Sequence, residues 1–137
     1  MKKILQKDNK VLRQKATEVP LTEITSPKIK KVLREMIASL ASQHDGVAIA
    51  APQIGYSLRI FVVSGKVFEK DFLKESIGTE SRETKEIIIE KKAQKNLVFI
   101  NPKISKLSRE KTWVPEGCLS VRWLYGKTFR SVKATAE

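Results

Sequence analysis

Cysteine and histidine are nearly missing: the 137-residue chain has one of each, Cys118 and His44. A lone cysteine forms no internal disulfide, so a reducing, cytoplasmic setting is expected. It also has no second cysteine with which to complete a metal site. Aromatic residues are only 7% and are not interleaved with Lys and Arg as in single-strand nucleic-acid binders. No apolar run approaches the roughly 20 residues of a membrane-spanning helix. After Met1-Lys2-Lys3, the sequence Gln6-Lys7-Asp8-Asn9-Lys10 stands where a signal peptide would carry its apolar core. Acidic residues are scarce as well, 15 against 27 Lys+Arg, for a net charge of +12. Residues 1–45 carry ten basic and five acidic side chains and residues 96–137 eight and three, whereas 65–95 are nearly balanced at eight and seven. Such an excess favours encounter with polyanions, ribosomal RNA included. It reads as a solubilising basic surface rather than a specific nucleic-acid site.

What is present fits one soluble globular domain over residues 1–137, at 41% apolar and 31% charged. Ser26-Pro27 is a capping residue followed by a first-turn proline. Ile29, Val32, Leu33, Met36, Ile37 and Leu40 then recur at three- and four-residue spacing, one stripe of an amphipathic helix that Asp45-Gly46 would end. Val47-Ala48-Ile49-Ala50-Ala51 is a small apolar run stopped by Pro52, and Leu58–Val63 is rich in branched β-formers. Residues 65–95 read as a charged excursion with a turn at 76–79 and a short helix around Lys85–Lys92. Leu97–Ile100 resumes the sheet. Ile104–Val114 reads as a hairpin or two short strands, Pro115–Cys118 as a turn into another strand, Trp123–Gly126 as a bend, and Phe129–Ala136 as a last strand. In that strand Val132, Ala134 and Ala136 would share a face. The expected class is α+β, an N-terminal amphipathic helix packed on a mostly antiparallel β-sheet. The chain stops at Glu137 within a strand-like alternation, and one helix is little cover for five or six strands. A missing C-terminal piece is therefore expected.

Two segments can carry chemistry. In Gly46-Val47-Ala48-Ile49-Ala50-Ala51-Pro52-Gln53-Ile54-Gly55 the small residues let another backbone approach, as when a peptide adds to a sheet edge. Gln53, the run's one polar side chain, can donate to a developing oxyanion without adding charge. The plainer alternative is that Gly and Ala let the helix lie close to the sheet while Gln53 faces water. In Glu116-Gly117-Cys118-Leu119-Ser120 a thiolate would be a strong ligand for zinc or iron, with Gly117 removing a side chain beside it. The alternative there is an inert buried cysteine. His44, beside Asp45, reads as a solvated histidine near a helix C-terminus.

Together the two segments are specific. Gly46 to Gln53, followed by Glu116-Gly117-Cys118-Leu119-Ser120, resembles peptide deformylase, the family that removes the formyl group from N-terminal formylmethionine of nascent chains. The resemblance implies that Cys118 is one of three protein ligands to a divalent metal, ferrous iron or alternatively zinc or nickel, which activates water. It implies that the Gln53 amide and the Leu119 N–H stabilise the oxyanion, and that Gly46, Val47 and Ala48 hold the peptide as an added strand. Glu116 and Gly117 would shape the loop from behind the ligand. Ala48 stands where the family usually has Gly. The family's third motif, H-E-x-x-H on a C-terminal helix, is absent: 19 residues follow Cys118 and none is His.

The resemblance thus implies a metal-dependent hydrolase acting on N-formylmethionyl peptides in the cytoplasm, with this chain inactive alone because its catalytic helix is missing. One alternative is a non-catalytic module that binds N-terminal peptides by strand addition. Another is a basic, ribosome-associated protein held by charge.

Overall fold

A computed structural model describes residues 1–68 and 95–137. The helix expected at 85–92, and most of the charged excursion, lie outside the described residues.

Helix α1 spans Pro27–Ala41. The Ser26 hydroxyl accepts the Ile29 N–H at 3.2 Å, and Pro27 starts the first turn, as the sequence requires of an N-cap. The helix ends earlier than Asp45-Gly46 suggests. Ser42 closes it by donating its N–H to the Ala38 carbonyl, so His44 sits on the following loop. Strands β1 (Ala48–Ala50), β2 (Ile60–Val63) and β3 (Leu97–Ile100) form an antiparallel sheet in the order β1-β2-β3. Ile49 opposite Val62, with Ile60 two residues along, presents the buried face. Against it packs the stripe Ile29, Val32, Met36 and Leu40, all 2% exposed or less. On the other face Phe61 stacks on its register partner Phe99 at 4.4 Å.

The remaining strands correct the sequence reading while keeping its α+β class. β4 (Ile104–Ser105) pairs with β7 (Thr135–Ala136), and β5 (Lys111–Cys118) pairs with β6 (Val121–Ser131) in a long hairpin. Pro115–Cys118 is therefore strand, not turn, and the turn is Leu119-Ser120. Among the described residues β5 and β6 form a two-stranded ribbon, both strands of which are edges, where a proline lacking its N–H is tolerated. Trp123–Gly126 is not a bend but lies within β6. The register jumps from Cys118↔Val121 to Gly117↔Tyr125, so Arg122, Trp123 and Leu124 bulge out of the ladder. Phe129–Ala136 is not one strand either. Ser108 captures Lys133, donating its N–H to the Lys133 carbonyl and accepting the Lys133 N–H on Oγ, which separates β6 from β7. Val132 and Ala134 thus do not share a strand face with Ala136. Ile104–Val114 contributes two strands, but they pair with different partners.

The N-terminal segment runs across this core. The fully buried Ser39 hydroxyl accepts the Lys2 N–H at 3.2 Å and donates to the Lys2 carbonyl at 2.7 Å, satisfying both polar groups inside an apolar cluster. Asn101 clamps Val19 in the same two-way manner at 2.8 Å on each side.

This packing predicts unequal costs of truncation. Met36→Ala, at a side chain with no exposure, should lower unfolding free energy by about 2–5 kcal/mol in urea denaturation. Leu21→Ala, at a residue 83% exposed, should change it by about 0.5 kcal/mol or less.

Candidate functional site

After β1 the chain enters a short 3-10 turn over Ala51–Ile54, closed by Gly55 at φ 89°, a left-handed conformation that glycine adopts without steric cost. Gln53 therefore stands on a tight turn rather than at the end of a strand. Its Oε1 accepts the Ala50 N–H at 2.8 Å. That bond fixes which way the amide faces, because an N–H donor must meet the oxygen. The Nε2 group is left facing the β5–β6 tip, where it donates to Ser120 Oγ at 3.1 Å and lies 3.9 Å from Cys118 Sγ. Gln53 does not simply face water.

The hairpin tip brings the second segment to the first. Cys118 is exposed, not buried in hydrocarbon, whereas Leu119 and Ser120 are 8% and 4% exposed. The N-terminal segment ties the two halves together. Leu5 donates its N–H to the Gln53 carbonyl at 2.8 Å, and Gln6 Nε2 donates to the Leu119 carbonyl at 3.2 Å. A side chain at Gly117 would meet the Tyr125 ring at 3.0 Å, so glycine is what lets that ring lie against β5. Glu116 is paired with Arg130 of β6 and does not line the cleft.

Between these elements lies a cleft of about 420 Å³, lined by Val47, Ala48, Gln53, Cys118 and Leu119 and by the β6 bulge. Among the described residues β1 is the edge of its sheet. The Val47 carbonyl accepts the Ser64 N–H on the β2 side at 2.8 Å. Antiparallel alternation therefore turns the N–H and C=O of Ala48 outward. Gly46 is buried, and a Cβ there would stand 3.0 Å from both Leu40 and Gln43. Its small size serves close approach of the helix end, while Val47 and Ala48 reach the cleft.

Arg122 bridges the mouth. Its Nη1 donates to both Asp45 carboxylate oxygens, at 3.0 and 2.8 Å, and its Nη2 bonds the Gln43 side chain. The guanidinium holds the Asp45 carboxyl below its ordinary range, the hydrogen bond being the largest cause, and Lys66 adds to the effect. Sequence reasoning missed Ser120, Gln6, Asp45, Arg122 and Trp123 as parts of the site. Ser120 lies inside the quoted pentapeptide, but nothing local marks Gln6, 113 residues from its partner.

The metal implied by the resemblance needs three protein ligands. Among the described residues no group of three or more His, Cys, Asp or Glu side chains converges. Cys118 offers a sulfur, but His44 is exposed on the loop after α1 and does not line the cleft. These residues do not fit a metal centre.

Comparisons with known proteins agree with the motifs. The family model described as polypeptide deformylase matches residues 1–137. Peptide deformylase 2 of Clostridium acetobutylicum is 31% identical over 137 residues, covering 100% of this chain and 71% of that protein. The peptide deformylase of Leptospira biflexa is 32% identical over 133 residues, covering 97% of this chain, which spans 65% of that relative. A class I type b peptide deformylase of Acinetobacter baumannii, solved bound to Met-Ala-Ser, shares the fold at TM-score 0.70 and 22% identity, covering 100% of this chain and 82% of that one.

The Asp45 carboxyl gives a pH prediction. Its folded value is depressed, so the ion pair's stabilisation is complete above the unfolded carboxylate range and is lost as pH falls through the depressed value. In a carboxyl-carbon NMR titration Arg122→Met should raise the Asp45 midpoint towards the ordinary range. An unmoved midpoint would show that Arg122 is not the cause.

Proposed function

The chain belongs to the polypeptide deformylase family, and from that premise we propose that it serves removal of the formyl group from N-terminal formylmethionine, these residues supplying the peptide cleft and the oxyanion donors. Ala48, whose N–H and C=O face outward on the β1 edge, would pair with the incoming peptide as an added strand. The Ala48 methyl stands across the sheet plane and leaves that edge open. The Met side chain would enter the apolar part of the cleft beside Val47 and Leu119. The Met-Ala-Ser carried by the Acinetobacter baumannii structure begins with such a Met and lacks the formyl group.

One observation carries the reading: the Ala50 N–H holds Gln53 Oε1, so the amide donors are aimed towards Ser120 and Cys118. A formyl oxygen brought to that point would meet the Gln53 amide and, from the hairpin turn, the Leu119 N–H. Donors fixed before the charge develops need no reorganisation as it forms. Gly46 and Gly117 support the two walls by admitting Leu40 and Tyr125, and Glu116 braces the hairpin through Arg130. The net positive charge would draw the chain to ribosomes, where formylated chains emerge.

Peptide deformylases are metal-dependent, and these residues account for holding the substrate rather than for activating water. That misfit favours a second reading, a module that binds formylated ends without hydrolysing them.

Calorimetric titration with formyl-Met-Ala-Ser and with Met-Ala-Ser tests the binding both readings share. The formylated peptide should bind saturably and more tightly. Gln53→Glu keeps the oxygen that accepts from Ala50 but replaces the donors, and should weaken formyl-peptide binding about tenfold. Equal binding of the two peptides, or none, would overturn the proposal. Formate release from the bound peptide separates hydrolase from module.

A further inference from the structure

Trp123 is anomalous. It lines the cleft, is 79% exposed, and holds φ at 68°, a left-handed conformation that bulky side chains rarely adopt. Such strain persists only where neighbouring structure imposes it, and it concentrates where side chains are held for function. Little within the fold offsets it, since most of the indole meets solvent. The restraint comes from both sides of the bulge. Arg122, one residue before, is tied across the mouth to Asp45 and Gln43. Tyr125, two residues after, is back in register with Gly117. The Arg122 guanidinium also stands 5.8 Å from the indole centroid, within cation–π range.

We propose that Trp123 is a specificity-determining residue of the cleft, the wall on which the peptide side chain following formylmethionine packs, and that Asp45 and Arg122 are the positioning residues that hold it there. The inference rests on the proposed formyl-peptide reading. The cleft extends from the Gln53 and Cys118 end to the bulge. An extended peptide anchored at the first end therefore carries its later side chains towards the second. An exposed indole favours an aromatic or large apolar group there over alanine.

Trp113 lies on the hairpin against Phe129 and does not line the cleft. In a Trp113→Phe background Trp123 is the sole tryptophan, because the chain has two. Formyl-Met-Ala-Ser and formyl-Met-Phe-Ser are titrated into this protein, following Trp123 emission and heat together. The phenylalanine peptide should bind about threefold to tenfold more tightly and shift the emission to the blue. Trp123→Ala, followed by heat alone, should reduce that ratio to about one. Asp45→Asn and Arg122→Met should lower both the ratio and the anisotropy of the free protein's indole, and the exchange Asp45→Arg with Arg122→Asp should restore both. Equal affinities in the Trp113→Phe protein, or binding without an emission change, would overturn the specificity role. An anisotropy unmoved by Asp45→Asn would overturn the positioning role. If neither peptide produces heat, the formyl-peptide reading fails and the specificity role with it, while the anisotropy still decides whether the ion pair holds Trp123.

Discussion

The hydrogen bond from the Ala50 N–H to Gln53 Oε1 is the constraint on which the site depends. A primary amide has two chemically opposite ends, and a free glutamine can present either. Here the strand's last backbone donor claims the oxygen, so the nitrogen faces Ser120 and Cys118. The 3-10 turn makes this possible by bringing Gln53 back over the strand from which it has just emerged. A longer β1 would carry the side chain away from the hairpin tip.

That local device matters because the fold brings the β5–β6 tip to it. The apolar packing of α1 on β1 and β2 fixes one wall, and Leu119 joins the same buried cluster from the other. The N-terminal segment then bonds both walls, through Leu5 to Gln53 and Gln6 to Leu119. Each neutral bond contributes only on the order of 1 kcal/mol. Their effect here is geometric: the carbonyls flanking the two donor groups are held by adjacent residues of the N-terminal segment. The hairpin, by contrast, makes few burying contacts along its length, with Trp113, Tyr125 and Phe129 largely exposed. Its position near the cleft is set at the tip and by the Asp45–Arg122 bridge.

Local signals were legible where a single segment decides its own structure. Ser26-Pro27 and the stripe from Ile29 to Leu40 specify a capped amphipathic helix without reference to anything else. The branched residues of β2 do the same for a strand. Pro115 and Gly117 misled for the converse reason, since a turn-former tells nothing of whether its strand is a tolerant ribbon edge. The bulge at Arg122–Leu124 follows from the register of the opposite strand, which composition does not encode. The two motifs identified Gln53 and Cys118 as candidates, yet their juxtaposition depends on contacts far apart in sequence. Gln53 meets Ser120 across 67 positions and Arg122 meets Asp45 across 77. No window of neighbouring residues contains both ends.

A crystal structure of the chain with formyl-Met-Ala-Ser tests the aimed amide most directly. The formyl oxygen should lie within about 3 Å of Gln53 Nε2 and of the Leu119 nitrogen, with the peptide backbone paired along Ala48. A peptide seated with its formyl group elsewhere, or a Gln53 amide turned so that its oxygen faces Cys118, would contradict it.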